Sequence, residues 1–178
     1  MGVSQVAELG EEVFLSRLEQ SLARGLRLVQ LREKQLDEQS LLALAARVRE
    51  ITLRHGARLM LNASPELAQR ADADGVHLSA ARLAQLRVRP DLAWCGASCH
   101  GRIELDRAAE LALDYVVLGS VLPTATHPNA GAMGWEHLAE LIRDYPLPVY
   151  AIGGMQAGDL TQAWRHGAHG VAMLRGAW

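Results

Sequence analysis

Cysteine is scarce in this chain, with two residues in 178, so the sequence offers no disulfide framework of the kind that stabilises small secreted domains. Cys95 and Cys99 stand in the stretch CGASCH, which has one residue too many between the cysteines for the CxxCH signature of haem attachment. We interpret both as small buried hydrophobic residues.

A strong charge of either sign is also missing. Eighteen Lys and Arg residues against 20 Asp and Glu residues give a formal net charge of -2, so we expect no nucleic-acid partner. No apolar run reaches the roughly 18 to 20 residues that a bilayer requires, and the N-terminus has neither a basic start nor a following apolar block. These absences predict a cytoplasmic protein without a membrane segment.

What the chain does contain is the composition of an ordinary globular domain, with 49% hydrophobic and 21% charged residues. Its length fits one domain, and a chain of this size buries enough surface to fold without disulfides or metal. We predict a single domain over residues 1–178.

Short apolar runs alternate with stretches of helical periodicity along the chain. Six predicted strands are Leu26–Leu31, Leu59–Leu61, Gly75–Leu78, Tyr115–Leu118, Val149–Ile152 and Gly170–Leu174. Two further runs, Ser4–Glu8 and Trp94–Ala97, bring the number of strands to seven or eight if they are included. The predicted helices are Glu11–Arg24, Asp37–His55, Ile103–Leu113, Glu136–Asp144 and Asp159–His166.

Strands that alternate with helices pair in parallel, so the fold is either an open doubly wound α/β sheet or a closed (β/α)8 barrel of the TIM type. Seven or eight strands favour the barrel. The chain is short for this fold and stops at Trp178, directly after the last predicted strand. We therefore predict a short TIM-type barrel whose final helix is missing.

Working groups of such a barrel lie where its strands end. Gln30, Arg32 and Lys34 follow the second strand, and alternation places them on one face. Two cations at a barrel mouth suit a phosphate, Arg through its planar fork and Lys as a point charge. The alternative is a solvated charge run ahead of a helix.

Glycines follow the last two strands as Gly153-Gly154 and Arg175-Gly176. Such positions let the backbone approach an anion, and this side of a barrel commonly holds phosphate.

The longest connection, residues 119–134, is typical of a lid or binding loop. Its Thr124, Thr126 and His127 could donate to phosphate oxygens, unless the loop tip has no role.

Two polar residues end the fifth strand. His100, just after Ser98, is a candidate general base, or alternatively a hydrogen-bonded residue that caps the next helix. His77, inside the fourth strand, is interpreted as a core histidine with satisfied hydrogen bonds. His166 and His169 are not grouped with carboxylates as a metal site requires.

Five motifs occur in order across nearly the whole chain: QLREK at 30–34, DGVHL at 74–78, GASCH at 96–100, DYVVLGSVLPTATHP at 114–128 and AIGG at 151–154. Together they resemble the thiamine phosphate synthase and thiazole tautomerase superfamily. The resemblance implies a (β/α) barrel that acts on a phosphorylated thiazole.

The resemblance also implies roles for the candidate residues. Gln30, Arg32 and Lys34 fall on positions that the synthase uses for the pyrimidine diphosphate. The thiazole phosphate pocket falls on Gly153, Gly154, Arg175 and Gly176. Thr124 and Thr126 fall on lid positions, His127 replaces the usual lid lysine, and Asn62 and Ser98 complete the substrate-binding set.

The resemblance fails at the metal ligands. The synthase holds Mg²⁺ with an acid just after the Asn that ends its third strand and another shortly after its HLG motif, where this chain reads Asn62-Ala63-Ser64 and Ser79-Ala80-Ala81-Arg82. Alanine cannot supply the carboxylate oxygens that Mg²⁺ needs. We expect no cofactor and no metal, unless Asp72 or Asp74 serves as a displaced ligand.

Three functions follow as hypotheses. The first is a barrel that binds a phosphorylated thiazole or similar small phosphate, with metal-free tautomerase-type proton transfer by His100 or with lost catalysis. The second is an active thiamine phosphate synthase. The third is a non-catalytic accessory domain of a Nudix hydrolase, since the C-terminal HGAHGVAMLRGAW resembles domains fused to that enzyme. A barrel with an uncovered face also predicts a homo-oligomer or a second domain.

Overall fold

A computed structural model describes residues 1–124 and 131–178 of the chain, so Thr126 and His127 lie outside the described residues. The strands are β1 (Gly2–Val3), β2 (Leu28–Leu31), β3 (Arg58–Leu61), β4 (Gly75–Leu78), β5 (Trp94–Cys99), β6 (Tyr115–Leu118), β7 (Val149–Ile152) and β8 (Gly170–Ala172). The helices are α1 (Val6–Leu9), α2 (Glu11–Ala23), α3 (Glu38–Arg54), α4 (Pro65–Arg70), α5 (Ala80–Gln85), α6 (Arg102–Glu110), α7 (Gly134–Ile142) and α8 (Leu160–Arg165). Short 3₁₀ helices span Ala157–Asp159 and Arg175–Ala177.

The eight strands form one parallel sheet in the order β1 to β8. The sheet closes on itself, because the Val3 N–H donates to the Met173 carbonyl at 2.8 Å and the Met173 N–H donates to the Met1 carbonyl at 2.9 Å. The predicted (β/α)8 barrel is therefore confirmed, and the carboxyl ends of all eight strands meet at one rim, the mouth of the barrel.

The first strand differs from its prediction. The first strand pairs only at Gly2–Val3, and residues 6–8, the greater part of the predicted Ser4–Glu8 strand, lie in helix α1. The Ser4 N–H still donates to the Gln30 carbonyl at 2.9 Å, after which the chain turns. Pairing with β2 and closure against Met173 fix this strand, and neither leaves a local sequence pattern.

After β8 the described chain continues through the short 3₁₀ helix Arg175–Ala177 to Trp178. The Trp178 ring packs edge-on against Phe14 of α2 with ring centroids 5.1 Å apart. Its indole N–H donates to the Val3 carbonyl at 2.7 Å. One aromatic side chain thus covers part of the seam between β8 and β1.

Hydrogen-bonding residues set the start of several helices. Asp37 accepts from the Ser40 N–H at 2.8 Å and begins α3, Ser64 begins α4 ahead of Pro65, and Ser79 begins α5. Among the described residues no helix is long and apolar enough to cross a membrane. The caps Ser64 and Ser79 lie close to the carboxyl ends of β3 and β4, beside the mouth of the barrel.

Two carboxylates, each paired with an arginine, stabilise the opposite, amino-terminal end of the barrel. Asp74, just before β4, accepts from the Leu59 N–H of β3 at 2.7 Å and from Arg49 of α3 at 2.8 Å. Asp114, just before β6, repeats the arrangement with the Cys95 N–H at 2.6 Å and Arg89 at 2.9 Å. Each carboxylate ties a strand to its predecessor and compensates a half-buried guanidinium.

Side chains from alternate positions fill the barrel axis below the mouth. A buried cluster on the axis comprises Met1, Met60, Tyr115, Val117 and Ala172. Gly96 is in register with Tyr115 of the next strand, and a Cβ at Gly96 would overlap the ring carbons of Tyr115. Glycine is required there because the tyrosine ring lies across that position and forms part of the floor of the mouth.

Candidate active site at the barrel mouth

The end of β2 places the predicted basic pair at the mouth. Gln30 is 3% exposed, Arg32 is half-buried and Lys34 is exposed, so the three residues rise from the interior to the rim. The Arg32 backbone N–H donates to Ser4 Oγ at 2.8 Å, and that hydroxyl donates to Glu33 at 2.6 Å. The strand end is therefore anchored by its backbone and by Glu33, which leaves the basic side chains available.

Neither Arg32 nor Lys34 forms a salt bridge within the described part of the chain. Lys34 is also the only lysine in the sequence. Arg32 lies close enough to His77 for its positive charge to help lower the pKa of that imidazole. An unpaired guanidinium beside the floor of the mouth favours an anionic ligand there.

A buried histidine forms the floor next to Arg32. His77 is 1% exposed, its Nδ1 lies 3.1 Å from the Tyr115 hydroxyl, and its Nε2 lies 2.9 Å from Ser98 Oγ. The Asn62 side-chain amide donates to the His77 carbonyl at 3.2 Å. The interpretation of His77 as a core histidine with satisfied hydrogen bonds is confirmed, and the structure brings the predicted Asn62 and Ser98 to the same place.

Burial, with a smaller contribution from Arg32, lowers the pKa of His77 from 6.5 to about 3. In the unfolded chain this imidazole binds a proton below about pH 6.5, whereas in the folded protein it does so only near pH 3. Stability is therefore lost as the pH falls from 6.5 towards 3, and His77 contributes nothing to this slope above 6.5.

We expect His77 to lower the free energy of unfolding by about 2 kcal/mol at pH 5 relative to pH 7. Urea unfolding at both pH values measures this loss, and His77→Gln, which cannot take up a proton, isolates it from the other titrating groups. The difference between pH 5 and pH 7 should shrink by about 2 kcal/mol in the variant. An unchanged difference would show that His77 is not held neutral.

His100 lies on the rim with a defined tautomer. Its Nδ1 is 2.8 Å from the Gly119 carbonyl, and because a carbonyl only accepts, Nδ1 carries the proton and donates. The other ring nitrogen, Nε2, then holds the free lone pair when the ring is neutral. The ring is exposed, so this geometry suits the predicted general base. The alternative, a histidine that caps the next helix, is wrong, because the N-cap of α6 is Gly101, no side chain caps that helix, and His100 donates to Gly119 after β6 instead.

The diglycine turn after β7 packs closely against the loop after β6. Gly153 and Gly154 have φ angles of 100° and 69°, where only glycine is relaxed. A Cβ at Gly153 would overlap Ser120, and one at Gly154 would approach Leu122 Cβ to 2.8 Å. The space expected for a ligand is thus partly taken by the loop after β6. Neither glycine N–H bonds to a backbone carbonyl of the described residues, so both remain available to an anion.

The turns after β7 and β8 do lie together, because a Cβ at Gly176 would approach the Met155 carbonyl to 2.8 Å. Arg175 differs from Arg32, since its Nε lies 3.7 Å from a carboxylate oxygen of Glu8. Thr124 is the last described residue before residues 125–130 and already interacts with other groups. Thr126 and His127 stay sequence predictions.

The mouth does not fit Mg²⁺. No group of three His, Cys, Asp or Glu side chains suited to a metal exists among residues 1–124 and 131–178. In the two stretches where acids were expected, residues 62–64 and 79–82, the side-chain oxygens belong to Asn62 and to the helix caps Ser64 and Ser79, and no carboxylate is present. Asp74, considered as a displaced ligand, lies at the opposite end of the barrel with Arg49 and Leu59.

Sequence reasoning missed two contributors to the mouth. Glu33 anchors the strand end by accepting from Ser4 and from the Val6 N–H at 3.0 Å, and Tyr115 holds His77. Alternation along β6 places Tyr115 on the inner face, but only the register between β4, β5 and β6 brings it to His77.

A closed barrel of eight parallel strands places this protein among the TIM-type barrels, whose active sites lie at the carboxyl ends of the strands. The basic and hydrogen-bonding residues of this chain lie at that same end. The family model described as thiamine monophosphate synthase matches residues 3–177. The chain therefore belongs to the thiamine monophosphate synthase family.

Curated relatives agree with this assignment. The chain is 37% identical over 171 residues to a putative thiamine-phosphate synthase of Geobacter sulfurreducens, covering 94% of this chain and 80% of the relative. It is 35% identical over 164 residues to putative thiamine-phosphate synthase 2 of Aquifex aeolicus, covering 90% and 88%. A thiamine phosphate pyrophosphorylase from Pyrococcus furiosus matches the fold with a TM-score of 0.80 at 24% identity, covering 97% of this chain and 83% of that chain.

Proposed function

We propose that this chain is an active enzyme of thiamine biosynthesis that joins a pyrimidine diphosphate to a thiazole phosphate. The observation that carries the proposal is that Arg32 and Lys34, at the mouth of a barrel of this family, form no salt bridge with any residue of the described ranges. The names of the curated relatives favour the joining reaction over lost catalysis or an accessory role.

The chemistry that such a site must support is a substitution at the methylene carbon of the pyrimidine. The thiazole nitrogen forms the new C–N bond, the C–O bond to the diphosphate breaks, and the diphosphate leaves with the electron pair. Arg32 and Lys34 would bind the departing diphosphate and offset the charge that accumulates on it. Gln30, Asn62 and Ser98 would orient the ligand by hydrogen bonds from the floor.

The diglycine turn and the adjacent Gly176 are the proposed place for the thiazole phosphate. The free N–H groups of Gly153 and Gly154 would donate to its oxygens. Thr124, Thr126 and His127 belong to the same proposal as residues that would cover the ligands from the loop after β6.

Product formation from purified components tests the proposal. The protein is incubated with the pyrimidine diphosphate and thiazole phosphate in parallel buffers with and without Mg²⁺, and thiamine phosphate is measured by mass spectrometry. We expect product that depends on both substrates and on the enzyme. The absence of thiamine phosphate with a folded protein would overturn the joining reaction.

A second candidate function rests on His100 and on the lost carboxylates. Proton transfer on a thiazole carboxylate phosphate needs a base and a grip for the phosphate but no metal. The free Nε2 of His100 at the rim provides such a base. Exchange of the thiazole proton for deuterium, followed by NMR, distinguishes this reaction from the joining reaction.

If the second candidate operates, His100→Ala should slow proton exchange by at least about 100-fold, as expected for loss of a general base. The affinity for thiazole carboxylate phosphate, measured by calorimetry, should change by less than about twofold, because the phosphate is held by other groups. His137→Ala, an exposed histidine on α7, serves as the control. Equal loss of exchange and affinity would contradict the role of His100 as the base.

A further inference from the structure

Three polar groups form a continuous chain from the barrel axis to the mouth. The Tyr115 hydroxyl lies 3.1 Å from His77 Nδ1, and His77 Nε2 lies 2.9 Å from Ser98 Oγ. Tyr115 is 2% exposed and His77 is 1% exposed, whereas Ser98 is half-buried at the carboxyl end of β5. This series of three hydrogen-bonded side chains therefore has one end inside the protein and one end that a ligand can reach.

A neutral imidazole carries one proton, so the chain can be arranged in two ways. In the first, Nδ1–H donates to the Tyr115 oxygen and the Ser98 hydroxyl donates to Nε2. In the second, the Tyr115 hydroxyl donates to Nδ1 and Nε2–H donates to Ser98. The two arrangements differ in what Ser98 offers to the mouth, a lone pair in the first and a proton in the second.

Burial decides between them. Among the described residues the Tyr115 hydroxyl has no hydrogen-bond partner except His77. Its side chain belongs to a cluster with Met1, Met60, Val117 and Ala172 and packs against the Tyr150 ring, with ring centroids 5.8 Å apart. In the first arrangement the tyrosine proton would be buried without an acceptor, which proteins avoid. The second arrangement satisfies every proton of the chain except that of Ser98, which is the one at the mouth.

We propose that Tyr115 and His77 act together as positioning residues that hold the Ser98 hydroxyl as a hydrogen-bond donor towards an anionic oxygen of the ligand. His77 already donates to Ser98, so it cannot take the serine proton, and Ser98 acts as a donor and not as a nucleophile. The ligand half of this inference rests on the proposed phosphate site, to which Arg32 contributes the nearby positive charge.

The first test concerns the free protein and does not depend on any ligand. Nitrogen-15 NMR of the histidine rings at pH 7 distinguishes the two neutral tautomers by the coupling pattern of the ring carbon protons to Nδ1 and Nε2. We expect His77 in the Nε2–H form. Tyr115→Phe should keep this form, because an Nδ1–H would then be buried without an acceptor, but it should shift the Nδ1 resonance, since the Nδ1 lone pair loses its hydrogen-bond donor. Tyr150→Phe is the matched control, because Tyr150 packs against Tyr115 with ring centroids 5.8 Å apart but forms no hydrogen bond with His77. A wild-type protein in the Nδ1–H form would overturn the inference.

The second test measures coupling between the inner and outer ends of the chain. Calorimetry with inorganic diphosphate should show that Ser98→Ala weakens binding about tenfold and Tyr115→Phe about threefold, as expected for loss of a donor to a charged group and for its partial misorientation. In the Ser98→Ala background, Tyr115→Phe should have no further effect. Ser98→Thr, which keeps a hydroxyl, should restore most of the affinity, whereas Tyr150→Phe should change it by less than about twofold.

The outcomes separate the inference from the proposed function. If the wild-type protein does not bind inorganic diphosphate while His77 is in the Nε2–H form, the anion site beside Arg32 is wrong and the role of Ser98 as a ligand donor fails with it, although the orientation of the three hydrogen-bonded side chains stands. If binding occurs but the effects of Tyr115→Phe and Ser98→Ala on affinity multiply independently, Tyr115 does not act through Ser98 and the positioning role is refuted.

Discussion

Replacing Arg32 with alanine is expected to weaken binding of inorganic phosphate about 30-fold to 100-fold, as estimated from the loss of a charge-assisted hydrogen bond. Arg32 lies next to the floor of the mouth and has no salt bridge within the described ranges, so an anion at this place would have the full use of its guanidinium. Calorimetric titration with phosphate at low ionic strength measures the effect. Arg32→Lys should recover part of the affinity, since it keeps the charge but not the planar fork.

Arg17→Ala provides the matched control for this experiment. Arg17 is an exposed arginine of α2, so its removal changes the net charge by the same amount as Arg32→Ala without touching the mouth. Phosphate affinity should then change by less than about twofold. Equal losses in the two variants would mean that phosphate responds to overall charge, and the site at the end of β2 would have to be abandoned.

Gly96→Ala is expected to lower the free energy of unfolding by about 3 kcal/mol or more, the range for an overpacked core in which backbone or ring must move. The added Cβ would overlap three ring carbons of Tyr115, and the ring cannot move away without breaking its bond to His77. Urea unfolding followed by circular dichroism measures the change. Gly158→Ala, where nothing lies within 4 Å of the added carbon, should stay within about 0.5 kcal/mol.

A second substitution shows whether the overlap with the ring is the cause. Tyr115→Leu should be destabilising by itself, yet in the Gly96→Ala background it should restore part of the lost stability, because the smaller side chain leaves room for the new carbon. Simple addition of the two losses would contradict the packing explanation, and the destabilisation would then have to arise from the backbone of β5.

Much of the fold follows from local pattern. Gly75–Leu78, Tyr115–Leu118 and Val149–Ile152 have the same bounds in the sequence analysis and in the structure, because each run is fully or largely buried and ends at polar or glycine residues. The first strand could not be obtained in this way. Gly2–Val3 is too short to show a period, and its pairing depends on Met173 at the other end of the chain.

The site divides in the same manner. Arg32, Lys34 and His100 were found from their places after strands, since the topology of a parallel barrel brings all strand ends to one rim. The diglycine turn was predicted for the right place, but part of the space was assigned to a ligand where the structure has Ser120 and Leu122. Tyr115 was not predicted, because its contact with His77 depends on the register of β4 with β5 and of β5 with β6. No single run of residues determines these two pairings.

The tyrosine that crosses the barrel axis also determines how molecules can travel. With that ring and its apolar neighbours filling the interior, the described part of the barrel has no open channel along its axis. A ligand bound at the carboxyl ends of the strands therefore has to enter and leave from that same end. If the proposed joining reaction operates, both substrates and both products share this one route.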